Sequence, residues 1–311
     1  GLGYILSLLQ RSELAEIDLQ EDLKELDASM AAAALKQITE EDRNDYLHGA
    51  MGVVHYFTTR SKEPIIRQYL ETLVTAFCNK AVVSGKGLWF RNFIIDKKEK
   101  ERIDTGLSHG NAGFLLILLN VWEAGVLKER LTDVISKGME FLISQQMKTN
   151  PEEEQHAFFP FSVNATDHND IYFSQRLAWC YGDLNIILLL YRVGSSFKIN
   201  RWTDLADTLS GQTVKRMDAT ATLALDSHFC HGTAGLAQFY RTLHNVTKNG
   251  LFDTAADYWI GRTIQLLEKE WKENTYNGKE CDLINGLPGI NLVLLSYLCK
   301  KDLAWSRSLL L

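Results

Sequence analysis

The sequence predicts an all-α chain in which apolar inner helices alternate with amphipathic outer ones. Three observations lead there. Only 4 prolines stand among 311 residues, where average usage of about 5% would supply roughly 15, so long helices can run without a breaker. A small-residue turn recurs ahead of an apolar run: HGAMGVVHYF from His48, HGNAGFLLILL from His109, YGDLNIILLLY from Tyr181, HGTAGLAQFY from His231 and NGLPGINLVLL from Asn285. Between these runs lie segments with one apolar and one polar face.

The first unit, GYILSLL from Gly3, is the tail of the same pattern. The second small position of each turn falls at Gly3, Gly52, Gly113, Asn185, Gly235 and Gly289, about 50 to 70 residues apart, room for two helices and their loops. Each G-x-x-G reads as the start of a helix, because glycine permits a tight turn and close backbone approach before the apolar run takes over. Those runs are apolar nearly all round, which predicts burial on every side. The outer helices are expected at residues 13–36, 65–79, 131–146, 201–217 and 254–271. Six inner and six outer helices can close into an α/α toroid or stand as an open array, and periodicity alone does not choose. Residues 82–95 (VVSGKGLWFRNFII) are expected to form a hairpin, and the charged runs at 97–101 and 151–155 solvated loops.

Composition narrows the function classes. A chain that is 46% hydrophobic and 23% charged is neither disordered nor collagen-like. A net charge of −6 and a pI near 5.8 argue against nucleic acid as partner. Cys78, Cys180, Cys230, Cys281 and Cys299 are odd in number and far apart, so they do not read as a disulfide framework. A reducing, cytoplasmic location is expected. The longest apolar runs, such as 114–119 and 186–191, fall well short of the ~20 residues that cross a bilayer, so no integral membrane segment is expected. The chain opens on Gly1 rather than Met, which leaves room for a native segment before it.

Two turns carry metal-type ligands. Cys180 lies in WCYG, and Cys230 with His231 in FCHGTAG. Two thiolates and an imidazole are three of the four ligands of tetrahedral zinc, and a catalytic site keeps the fourth position for water or substrate. Cys180 and Cys230 stand two residues before Gly182 and Gly232, so adjacent units are expected to present them side by side. His231 fills the slot that Tyr181, His109 and His48 fill elsewhere. If the turns begin the inner helices of a closed ring, they converge on one end of its cavity. Cys78 and Cys299 are expected to be buried packing residues. From the residues alone, His109 and His48 can equally bond backbone at crowded helix starts, Arg176 can be a surface residue, Asp45 an N-cap and Trp179 core.

SHGNAG at 108–113, WCYGD at 179–183, CHGTAG at 230–235 and INGLPGI at 284–290 closely resemble, in order, the motif series of the lanthionine synthetase C-like cyclases. The resemblance runs from Gly3 to about Leu298. It implies a single α/α toroid cyclase domain over residues 1–311, without the family's N-terminal helix, and one zinc ion held by Cys180, Cys230 and His231. It further implies a catalytic His109, with Asp45, Arg176 and Tyr181 in the site. The implied reaction adds a peptide cysteine thiol to dehydroalanine or dehydrobutyrine, forming a thioether ring in a precursor peptide dehydrated by a separate enzyme or by a region outside this chain. His109 is the candidate proton donor to the resulting enolate; Arg176 or Tyr181 would steady its oxygen, and Asp45 would orient His109 or relay a proton. Addition of glutathione or another small thiol to dehydroamino acids in proteins, or a non-catalytic zinc-stabilised peptide-binding scaffold, are the alternatives. Two positions depart from the pattern. Asn185 replaces the second glycine of WCYG, a change that its tolerance of left-handed backbone angles is expected to absorb. His48 adds an imidazole before Gly49.

Overall fold

Each complete turn opens a helix in the computed structural model, which describes residues 2–11, 20–93, 102–153, 155–300 and 303–311. In chain order the helices are α1 (Leu2–Arg11), α2 (Gln20–Lys36), α3 (Ala50–Thr58), α4 (Pro64–Asn79), α5 (Asn111–Glu123), α6 (Lys128–Ser144), α7 (Asp183–Phe197), α8 (Asn200–Thr213), α9 (Ala219–Thr222), α10 (Thr233–Thr247), α11 (Gly250–Lys272) and α12 (Leu287–Cys299). The apolar runs are α1, α3, α5, α7, α10 and α12; the amphipathic segments are α2, α4, α6, α8 and α11. Among the described residues no helix is long and apolar enough to cross a membrane.

The first glycine of each complete turn is the helix N-cap: Gly49, Gly110, Gly182, Gly232 and Gly286. None carries a capping side chain, so the first amides turn back on the loop instead: Ala50 N donates to Arg43 O (3.1 Å) and Thr233 N to Asp226 O (2.9 Å). The second small residue sits in the first helical turn. A Cβ on Gly52, Gly235 or Gly289 would collide with the carbonyl of Tyr46, Phe229 or Leu283, in each case six residues earlier. Asn185 meets the same demand differently. Its Nδ2 donates to Trp179 O (3.1 Å), the equivalent carbonyl, and to Ala178 O (3.3 Å), while its Oδ1 accepts from Leu107 N (3.0 Å). Hydrogen bonding from inside the helix, not left-handed backbone, is therefore what lets asparagine stand there. The positive φ in that turn belongs to Gly182, at 117°.

One compact unit comprises Gly1–Ile103 and His109–Phe141. Here α3 packs on α2, α4 and α5. Phe77 stacks on Phe90 at 4.1 Å and meets Phe114 edge-on at 5.6 Å, all three fully buried; each such side chain contributes on the order of 2–3 kcal/mol of hydrophobic stabilisation. Strands β1 (Val82–Ser84) and β2 (Gly87–Trp89) form the antiparallel hairpin. It ends at Trp89, short of the expected 95, because the following backbone groups bond elsewhere: Phe90 N to Asn111 Oδ1 (2.8 Å), Arg91 O to Asn44 Nδ2 (2.8 Å) and Phe93 N to Asp42 O (3.1 Å). Residues 94–95 and the charged run 97–101 lie outside the described residues.

The second unit comprises Asp104–Ser108 and Leu142–Leu311. The chain reaches it through β3 (Arg102–Asp104); within it β4 (Ser162–Asn164) pairs antiparallel with β5 (Ile171–Tyr172). Helix α7 packs on α8 and α10, and α10 on α11 and α12. Trp179 is fully buried against Phe229 and donates Nε1–H to Leu309 O (2.8 Å), which makes it a core residue. Helix α12 departs from the expectation of all-round burial. Gly289, Ile290, Val293 and Ser296 are buried, but Leu295 and Leu298 are 48% and 76% exposed. Cys299 ends that helix and is exposed too, not the packing residue expected, whereas Cys78 is buried as expected.

Candidate functional site

Backbone hydrogen bonds stitch the turns of the second unit together. Leu107 N and Ser108 N donate to Cys180 O (2.9 and 3.1 Å), Trp179 N to Cys230 O (3.1 Å), and Cys230 N to Ile284 O (2.8 Å). Equivalent positions of successive turns thus become neighbours, and the Sγ atoms of Cys180 and Cys230 and a ring nitrogen of His231 lie within 4.8 Å of one another. Cys180 is buried and Cys230 half-buried. The Cys180 thiol donates to the Cys230 sulfur, which together with burial pushes Cys180 up; the same bond, with His231 alongside, pulls Cys230 down despite its own burial. One sulfur is therefore primed to ionise. Two soft sulfurs and a borderline imidazole form the donor set zinc prefers, so these residues fit that ion.

Tyr181 follows Cys180 and packs edge-on against Phe161 at 4.5 Å. Burial raises its hydroxyl pKa, against the nearby Arg176 charge and a hydrogen bond with Ser174. Arg176 is half-buried, and its backbone N–H donates to Ser174 Oγ (3.3 Å). The two polar side chains thus share one neighbourhood next to the cysteine. The aspartate of WCYGD has a structural task. Asp183 is fully buried, accepts from Phe158 N and Phe159 N (2.9 and 3.1 Å), and pairs with Arg216 Nη1 at 2.6 Å.

In the first unit, Asp45 and His109 meet. Asp45 is 1% exposed; its Oδ1 accepts from Leu47 N (2.9 Å) and His48 N (2.8 Å), and its Oδ2 lies 2.7 Å from His109 Nδ1. Burial works to raise the Asp45 pKa, but the His109 hydrogen bond and charge and the His48 amide outweigh it, leaving the carboxyl below its ordinary value. Asp45 is thus both the turn-capping residue and the histidine's partner. The His48 ring stacks on His109, centroids 6.1 Å apart and planes 14° from parallel.

Three residues near these groups escaped the sequence reading. Asn92 donates to Asp45 Oδ2 (3.1 Å) and to His109 O (2.8 Å), a tie between chain segments that leaves no local pattern. Asp226 and His228 crowd His231: His228 Nε2 is 3.1 Å from Asp226 Oδ1, and the His228 ring meets His231 edge-on at 4.3 Å. Their spacing, D-x-H-x-C-H, was a legible signal of ligand density.

Residues 1–310 match the family described as "Lanthionine synthetase C-like protein". Among solved structures the chain is similar to nisin cyclase, at 17% identity and a TM-score of 0.74, over 94% of this chain and 74% of that one. A GH76 α-mannanase of Bacteroides thetaiotaomicron also matches, at 12% identity and a TM-score of 0.43, over 68% of this chain and 55% of that one. Comparison with curated sequences yields no match. The α/α fold class expected from the sequence, with its short hairpins, is the class found.

Proposed function

We propose that this chain, which belongs to the lanthionine synthetase C-like family, is a cyclase that adds cysteine thiols of a dehydrated precursor peptide to dehydroalanine or dehydrobutyrine, closing thioether rings, with residues 1–311 as one cyclase domain. The observation that carries the reading is the Cys180, Cys230 and His231 cluster, with its donor atoms within 4.8 Å. These residues would hold one zinc ion, which when bound supplies the Lewis acidity that brings a thiol of pKa ~8.5 to its thiolate at neutral pH.

Sulfur adds to the β-carbon, the C=C π bond breaks, and the electron pair moves onto an enolate whose α-carbon then takes a proton. In this reading His109 delivers that proton from Nε2. Asp45 Oδ2, 2.7 Å from Nδ1, keeps the proton of the ring's other nitrogen in place and so holds the tautomer and orientation the transfer needs. Arg176 and the Tyr181 hydroxyl donate to the developing enolate oxygen. The proton lost by the thiol balances the one gained at carbon. The dehydroamino acid is made beforehand, by a separate dehydratase or by a region outside this chain, and the cytoplasm is the compartment we assign.

Two measurements test this. Elemental analysis is expected to find about one zinc per chain, and to find it lost from Cys180→Ala, Cys230→Ala and His231→Ala; full zinc in both cysteine variants would overturn the ligand assignment. Incubation with a dehydrated cysteine-containing peptide, followed by thiol alkylation and mass spectrometry, is expected to show cysteines protected by ring closure. Free thiols throughout would exclude the cyclase, and glutathione adducts in their place would favour the small-thiol reading.

A further inference from the structure

We propose that Asp226, His228 and His231 form a second, outer metal-binding set on the turn before α10, through which a divalent ion passes to Cys180, Cys230 and His231. One ligand atom from each of the three lies within 4.8 Å of the other two, and His231 belongs to both sets. The separation of His228 Nε2 from Asp226 Oδ1 is 3.1 Å. Two donors each about 2.0–2.2 Å from one ion stand roughly 3.0–3.6 Å apart, so the spacing suits a shared ion. Among the described residues, His228 Nδ1 is buried with no hydrogen-bond partner, while the other ring nitrogen, Nε2, faces Asp226 Oδ1. Buried polar atoms ordinarily have a partner, and an unpartnered imidazole nitrogen beside a carboxylate and a second imidazole suits a metal ligand.

The turn itself presses the carboxylate into place. Thr233 N donates to Asp226 O (2.9 Å), and Gly232 approaches the Asp226 carboxylate so closely that a Cβ would collide with Oδ1. At Gly49, Gly182 and Gly286 the nearest atoms are backbone instead.

Exposure and donor type give the direction of transfer. The Asp226 and His228 side chains are 32% and 13% exposed, whereas Cys180 is 7% exposed. An ion from solvent meets Asp226, His228 and the half-buried Cys230 before the buried Cys180, and the softer thiolates hold zinc more tightly. The step is ligand exchange without redox change: bonds from the metal to Asp226 and His228 break as bonds to the two sulfurs form, and the thiol protons leave to water. The proposal rests on the functional reading above only through the inner ligand set and the shared His231.

The test uses Co2+ as a probe of the apoprotein. Cys180→Ser/Cys230→Ser is expected still to bind Co2+, about a hundredfold more weakly than wild type, with d–d absorption but no sulfur-to-metal charge-transfer band. Adding Asp226→Asn and His228→Gln is expected to abolish that binding. A folded serine variant that binds no Co2+, or binding that survives the second pair of substitutions, overturns the outer set. Should circular dichroism show the serine variant unfolded, His228→Gln alone decides: Zn2+ uptake by its apoprotein slows about tenfold with the final Co2+ spectrum unchanged, and an unaltered uptake rate overturns the proposal. A wild type without the sulfur band would refute the cysteine ligands and the transfer, while Co2+ binding that depends on Asp226 and His228 would still establish the outer set.

Discussion

The turns before α3 and α12 are built with one device and differ in what one carboxylate oxygen meets. Asp45 and Asp282 each stand four residues before the N-cap glycine, Gly49 or Gly286. Each takes two backbone amides on Oδ1: Leu47 N and His48 N at 2.9 and 2.8 Å, Ile284 N and Asn285 N both at 2.9 Å. The second oxygen separates them. In Asp282 it faces Asn285 Nδ2 at 3.3 Å, inside its own turn, whereas in Asp45 it faces His109 Nδ1 at 2.7 Å, sixty-four residues away. The repeat supplies a folded turn with one carboxylate oxygen to spare. Chemistry enters where that oxygen finds a distant titratable partner.

The largest expected effect lies on the partner. His109→Ala is expected to slow ring closure by at least about a hundredfold, the range for loss of a general acid, while elemental analysis finds the zinc retained. An unchanged rate would reduce the α3 turn to the same purely structural kind as the α12 turn. Asp45→Asn comes next. The amide oxygen can keep the two backbone bonds but cannot compensate a charged His109, so ring closure is expected to fall about tenfold with zinc content unchanged. A loss of zinc in this variant would break the separation between the pair and the metal ligands.

Asp282→Ala sharpens the comparison from the other side. It removes two backbone hydrogen bonds worth roughly 0.5–1 kcal/mol each near the surface, so urea unfolding is expected to show a loss of about 1 kcal/mol with ring closure unaffected. The smallest effect is in pH. Both carboxyls titrate below their ordinary value, Asp45 because the His109 contact and the His48 amide outweigh burial, Asp282 chiefly through the Asn285 amide. A lowered folded pKa means stability that is complete above the unfolded value near 3.9 and disappears as pH falls through the folded one. The difference in thermal midpoint between wild type and either Asp→Asn variant is therefore expected to shrink as pH drops from about 5 to 2. A difference that stays constant across that range would remove charge as its source.

The repeat, the helices and the donor types at each turn were legible because they depend on neighbours a few residues apart. Helix starts at Gly49, Gly110, Gly232 and Gly286 follow from the G-x-x-G spacing, and that at Gly182 from the same turn with Asn185 in the second place. The nearness of Cys180 and Cys230 followed from their equivalent places in adjacent repeats, and the bond from Trp179 N to Cys230 O is the contact that realises it. Asn92 was not legible, since a single asparagine in an irregular stretch carries no period and bonds residues 47 and 17 positions away. The hairpin was over-extended for a similar reason: β-branched and aromatic residues to position 95 suit a strand, but side chains of Asn44 and Asn111 take the backbone groups a second strand would use.

The sequence by itself determined which apolar and amphipathic runs are helical, where the helices after the complete turns begin, and which turns carry sulfur, imidazole and carboxylate, because backbone periodicity and turn chemistry are local. Only the tertiary structure decided what those groups meet. It set Asp45 against His109 and Asp282 against its own turn, drew Asp226 and His228 onto His231, and replaced a glycine contact with the Asn185 hydrogen bonds. It also left Leu295, Leu298 and Cys299 of α12 exposed, although their run is as apolar as that of the buried α5. Apolarity states a preference for burial, and whether a neighbour arrives to satisfy it is settled by contacts far apart in the chain.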